Sequence, residues 1–226
     1  MVSGSNELEI RRQVNANADL GADFIKVRID DNLGRTRKLP RPLFDALVDQ
    51  ARQRRLPVAV HLYYLDDARY ALSTGADLIA HSVRDEAVDA GFIDQIQASQ
   101  ACYIPTLTRE VSTFVYESEP EFFDDEFFRR EVDDAVIEQL LSPERMARVR
   151  NSGAAQTYKA GLEIAMDNLG SLHAAGVPIA MGTDSGPPAR FQGYFEHMEL
   201  SMMVWRGFVV RKVVVLNVIV SLSRRQ

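Results

Sequence analysis

The chain has 226 residues, 46% hydrophobic and 26% charged; this suits a soluble globular protein slightly short of the roughly 250 residues of an α/β barrel. Its 26 basic and 32 acidic residues give a net charge of −6 with no basic stripe, which argues against a nucleic-acid partner. The single cysteine, Cys102, excludes an internal disulfide framework and a cysteine-only zinc knuckle, and its apolar setting reads as a buried structural thiol.

The amino terminus, MVSGSNELEIRRQ, lacks the apolar core of a secretory signal. From Ala22 onward, short β-branched runs alternate with amphipathic stretches. DFIKVRI (23–29) reads as a strand and PRPLFDALVDQARQR (40–54) as a helix with proline near its start. PVAVHLY (57–63) is a second strand, followed by a short helix over 66–73. DLIAHSV (77–83) is a third, with a helix over 87–99, and ACYIPTL (101–107) is a fourth. A long interval, 108–176, starts acidic and aromatic (FVYESEPEFFDDEFFRREVDD) and ends in a helix closed by glycine (AAQTYKAGLEIAMDNLGSLHAAG). It reads as an insertion over about 108–154, either a substrate wall or a surface excursion with phenylalanines packed beneath. VPIAMGTD (177–184) is the fifth strand. Strands separated by single helices imply parallel βαβ units, hence a doubly wound sheet or a barrel.

The domain is expected to end near Met203, leaving a valine-rich tail over 204–226 with an aggregation-prone window, VVVLNVIV. The apolar run 208–220 is broken by Arg211 and Lys212 and falls short of the roughly 20 residues that span a bilayer. A cytoplasmic protein without a membrane partner is the expectation.

Side-chain direction carries the functional signal. Period two places Ile25, Val27 and Ile29 opposite Phe24, Lys26 and Arg28. In the second strand Val58, Val60 and Leu62 oppose Ala59 and His61. In the fifth, Ile179 and Met181 oppose Ala180, Gly182 and Asp184. Each strand has a bulky aliphatic face for a helix layer, and a face of small residues with a polar group toward the carboxyl end, where barrel active sites lie. Lys26, His61, His81 and Asp184 are the polar groups so placed. Two imidazoles and a carboxylate suit zinc or a similar divalent ion. Lysine joins them as a ligand only when desolvation lowers its pKa and carbon dioxide converts it to a carbamate. Singly, each has a bland reading: a hydrogen-bonded core histidine, a solvated lysine, or, in GTDSGPP, an Asx turn. Their coincidence on four strands favours a joint site.

GADFIKV, VAVHLYY, GADLIAHS and GVPIAMGTDSG together resemble the later barrel strands of the amidohydrolase superfamily, nearest its imidazolonepropionase-like and prolidase-like branch. The resemblance runs from about Gly21 to about Met203. It implies a partial (β/α)8 TIM-type barrel comprising roughly strands 4 to 8, with the insertion between strands 7 and 8. It also implies Lys26 as a carboxylated bridging lysine, His61 and His81 as metal ligands, and Asp184 as metal ligand and proton shuttle. The reaction implied is hydrolysis of a C–N bond in a small-molecule substrate such as an N-acyl amino acid or dipeptide. The His-x-His pair of the family's first strand does not occur, and the tail departs from the expected helix. An open barrel is expected to have low or no activity unless another polypeptide, a homo-oligomer or a domain swap completes it. Two alternatives stand beside this: a catalytically inactive fragment, and phosphoester or lactone hydrolysis on the same scaffold.

Secondary candidates for substrate binding are Arg84, by its planar fork, Tyr103, Arg109 and His197. Arg84 equally suits a surface pair with Asp85 or Glu86, Tyr103 suits packing, and His197 suits a capping or packing role. His173, in the last turn of its helix, suits the carboxyl-terminal dipole and not metal ligation.

Overall fold

Strands and helices alternate along the described residues of a computed structural model, namely 5–130, 132–207 and the backbone of 214–215. Helix α1 (Glu7–Asp19) leads into β1 (Ile25–Arg28), α2 (Arg41–Gln53), β2 (Val58–His61), α3 (Leu65–Thr74), β3 (Leu78–Ala80), α4 (Ala90–Ser99) and β4 (Cys102–Ile104). The five sequence-predicted strands all form, each shorter than its apolar run. β1 to β4 pair in parallel and in chain order. A single parallel bridge, Tyr103 to Ile179, joins β4 to the segment entering β5 (Ala180–Met181). The fold is therefore mixed α/β with a parallel sheet, as the alternating pattern implies.

The register sorts the side chains into two faces. Lys26 lies beside Ala59, Arg28 beside His61, His61 beside Ala80 and Ala80 beside Ile104. That row is the small-and-polar face. On the other face Ile25, Val27, Val58, Val60, Ile79 and Tyr103 join the helices in one core. In α2 the residues Phe44, Leu47, Val48 and Ala51 are buried at the spacing of a single helical stripe. Complete burial of a side chain such as Phe44 is worth roughly 1.5–3 kcal/mol. Cys102 lies on the small face and is half-buried, less enclosed than its apolar setting implies.

The interval after β4 opens not with a loop but with α5 (Leu107–Phe114). Two 3-10 turns and the short helices α6 (Glu126–Arg129), α7 (Asp134–Leu140) and α8 (Pro143–Arg150) follow, before the long α9 (Gly153–Ala174). Phe122, Phe123 and Phe128 pack underneath, whereas Phe127 is exposed. Tyr116, Phe123, Phe128, Ile137 and Leu140 form a second core, with Phe122, Phe191 and Tyr194 against it. A cavity of about 660 Å³ beside them is lined by Val115, Pro120, Glu121, Phe122, Asp125 and Tyr194.

Helix α10 (Tyr194–Trp205) continues two residues past the expected domain end. β6 (Val214–Val215) pairs in parallel with β5; the rest of the valine-rich window, 213 and 216–220, lies outside the described residues. Among the described residues no helix is long and apolar enough to cross a membrane.

Candidate active site at the carboxyl ends of the strands

Strict alternation from Leu78 would put His81 on the helix-facing side with Ile79. The backbone prevents this. His81 takes φ 79°, and the consecutive N–H groups of His81 and Ser82 donate to consecutive carbonyls, Ile104 and Pro105, both at 3.0 Å. Such a local break re-aims a side chain, a recurrent device beside active sites. The His81 ring thereby meets that of His61 edge-on, with centroids 4.3 Å apart. Thr106 (φ 50°) and Asp184 (φ 56°), just beyond β4 and β5, are also left-handed non-glycine residues. Strain of this kind costs about 1–3 kcal/mol per residue and concentrates at functional sites.

Both imidazoles are buried, and the Nε2 atoms of His61 and His81 have no hydrogen-bond partner. Nδ1 of His81 lies 2.7 Å from Thr106 Oγ1. Nε2 of His61 lies 3.2 Å from Asp30 Oδ2 without the angle of a hydrogen bond. Burial lowers the pKa of both histidines; Asp30 opposes this at His61, and at His81 the neighbouring His61, Arg109 and Lys26 reinforce it. Both shifts favour the neutral imidazole. Burial also lowers the pKa of Lys26, against the pull of Asp184 and with the help of Arg109. A desolvated amine of this kind is a nucleophile toward carbon dioxide.

Asp184 is engaged by arginines. Arg190 Nη1 holds its Oδ2 at 2.6 Å, and Arg109 Nε lies 3.9 Å from the same oxygen. Arg109 is buried and pairs with Glu110 at 2.6 Å. Burial works against its charge, but Glu110 and Tyr158 more than offset this and raise its pKa. Tyr158 also stacks on it, at 5.2 Å. Asp30 would be raised by burial, yet His61 and Arg28 hold it well below the usual carboxylate range.

The other sequence candidates fall elsewhere. Arg84 is fully buried; it donates to the Leu62 and Ser82 carbonyls and faces Glu110 at 3.1 Å, so neither Asp85 nor Glu86 is its partner. Tyr103 belongs to the helix-facing core, where its hydroxyl accepts from Val83 N at 2.8 Å and burial pushes its pKa up to about 12. His197 is exposed on α10 and meets Phe127 edge-on at 4.9 Å. His173 sits in the last turn of α9. Asp30, Thr106, Glu110 and Arg190 were not singled out in sequence. Asp30 had one usable signal, as a carboxylate two residues beyond Arg28 at a strand end.

Among the described residues His81 Nε2 has no partner and His61 Nε2 has only Asp30 nearby, at 3.2 Å, so the two ring nitrogens fit a divalent cation once Asp30 yields its place at His61. The carboxylates do not complete the set: among the described residues no group of three or more His, Cys, Asp or Glu is placed to hold an ion. Lys26 shares the inner face with His61, and Arg28, Arg84, Arg109 and Arg190 pair there with Asp30, Glu110 and Asp184.

No protein-family model and no curated protein matches the chain. Solved structures do. A Xaa-Pro dipeptidase with methionine bound in its active site superposes with TM-score 0.63 at 19% identity, covering 91% of this chain and 44% of that one. Bottromycin amidohydrolase gives 0.64 at 19%, covering 94% and 48%. Ochratoxinase of A. niger gives 0.60 at 17%, covering 90% and 39%. The chain thus shares the fold of amidohydrolase and prolidase structures, and it spans less than half the length of each.

Proposed function

We propose that this chain is the carboxyl-side part of a metal-dependent hydrolase of C–N bonds, acting on substrates such as N-acyl amino acids or dipeptides. The observation that supports the reading is the pair of buried imidazoles in edge-on contact, His81 with an unpartnered Nε2 and His61 beside Asp30, near a desolvated lysine at the ends of parallel strands. On this reading β1 to β5 are barrel strands 4 to 8, and the segment after β4 is an insertion between strands 7 and 8. His61, His81 and carbamylated Lys26 hold the cation, with zinc favoured by the imidazole donors. When bound, it polarises a carbonyl and acidifies water.

The remaining roles follow from the residues present. Asp184, released from Arg190 by substrate, takes a proton from the attacking water and returns it to the leaving nitrogen. Arg109, fixed by Glu110 and Tyr158, presents a guanidinium edge to a substrate carboxylate. Among the described residues the outer edge of β1 is unpaired, and a further strand, from a second copy or from the rest of the barrel, completes the sheet there.

An inactive scaffold is the second reading. The contact of Asp184 with two arginines and the lack of a third metal-ready side chain among the described residues favour it. The experiment that decides is hydrolysis of acylated amino acids and Xaa-Pro dipeptides with zinc and bicarbonate, comparing wild type with Asp184→Asn. The hydrolase reading predicts turnover that falls at least about 100-fold in the variant. Indistinguishable rates would contradict it.

A further inference from the structure

Part of the second core's aromatic surface is left outside its own packing. The rings of Phe122 and Tyr194, both half-buried, stand 5.2 Å apart at 31°. Phe127, 44% exposed, continues the row, 6.0 Å from Tyr194 at 33°. A single exposed phenylalanine needs no explanation, but a row of aromatic rings along a cavity is the ordinary lining of a ligand site. With Val115 and Pro120, Phe122 and Tyr194 form the apolar wall of the cavity of about 660 Å³. That volume lies within the roughly 300–1,000 Å³ of ligand pockets.

Charge decides the occupant. The other lining residues are Glu121 and Asp125, so every charged group in the wall is acidic. The surrounding segment 117–126, ESEPEFFDDE, carries six carboxylates and no Lys or Arg. Arg129 pairs with Asp134 at 2.9 Å and Lys159 with Glu117, and among the described residues no cation pairs with Glu121 or Asp125. Asp125 is held against the aromatic wall: its Oδ1 accepts from Phe127 N at 2.7 Å and its Oδ2 from the Tyr194 hydroxyl at 3.2 Å. An anion is repelled here. A hard divalent ion gains nothing from the rings and needs more oxygen donors; among the described residues no group of three or more His, Cys, Asp or Glu is placed to hold one. A weakly hydrated organic cation uses both the ring faces and the carboxylates. We propose that this cavity binds a small organic cation, a methylated ammonium group lying on the Phe122 and Tyr194 rings while Glu121 and Asp125 balance its charge. The inference does not rest on the hydrolase reading.

The test is titration of the full chain with tetramethylammonium chloride at low ionic strength, read from the aromatic ¹H–¹³C resonances of Tyr194, assigned through Tyr194→Phe. Sodium chloride at equal ionic strength and tert-butanol, a neutral molecule of similar size, are run beside it. Saturable shifts are expected with tetramethylammonium alone. The double variant Glu121→Gln/Asp125→Asn removes both charges at exposed positions and keeps the side-chain shapes. Asparagine also retains the capping role of Asp125 at α6. Affinity for tetramethylammonium is expected to fall about 3- to 30-fold in this variant. No saturable shift in wild type, equal shifts with sodium or tert-butanol, or unchanged affinity in the double variant overturns the proposal.

Discussion

At the scale of single residues, Glu199 shows how far burial displaces a carboxyl. It is fully buried and accepts three hydrogen bonds. Burial nonetheless dominates and raises its pKa from 4.5 to about 7. The folded chain holds this proton up to about pH 7, whereas the unfolded chain releases it near pH 4.5. The folded state therefore binds more protons in that window, and stability falls as pH rises through it, levelling off above. The loss attributable to Glu199 is on the order of 3 kcal/mol. Urea titrations from pH 4.5 to 7.5 should show that decline in wild type and a flatter profile in Glu199→Gln. Parallel profiles would mean that the capping hydrogen bonds hold the carboxylate charged.

Residues also mark where the sequence was legible. The direction of Lys26 and His61 follows from period two because β1 and β2 keep their alternation, whereas Asp184 lies beyond β5 with φ 56°. The direction of His81 does not follow, since its left-handed backbone reverses the side that counting assigns. Asp30, Glu110 and Arg190 meet the site through folding: Arg190 reaches Asp184 from six residues away, and Arg84 finds Glu110 across 26 positions rather than its charged neighbours.

At the scale of elements, the strands were readable because β-branched runs between turn residues have few other uses. Helix α5 was not: its first residues, Leu107 and Thr108, continue the apolar run of β4, and its amino-terminal cap lies in α10. Helix α9 was plain from its length, but its function was not. Asn168, buried on α9, accepts from Val88 N at 2.8 Å and donates to the carbonyls of Val83 and Glu86 at 3.0 and 2.9 Å. One side chain thus secures the loop that follows His81. Asn168→Ala leaves three backbone groups to find water, which costs about 2–4 kcal/mol. Urea denaturation measures the loss; a value below about 1 kcal/mol would show that the loop satisfies itself without α9.

At the scale of the molecule, the parallel strands run in chain order from β1 to β4 and on through a single bridge to β5 and β6. Ile25 N and Ile29 N donate to the β2 side, at Pro57 O and His61 O, which turns the intervening N–H groups of Lys26 and Arg28 outward. No strand pairs with that edge among the described residues. The candidate site lies at the carboxyl ends of this array, where parallel strands converge their polar side chains. A hydrolytic site here requires His61, His81 and Lys26 to hold a divalent cation together. The direct measurement is metal content per chain by inductively coupled plasma mass spectrometry, after zinc and bicarbonate loading and desalting. It compares wild type with His61→Ala, Lys26→Ala and, as a control, His197→Ala. About one ion per chain is expected in wild type and His197→Ala and none in the other two. No retained ion in wild type, or equal content in all four proteins, would contradict it.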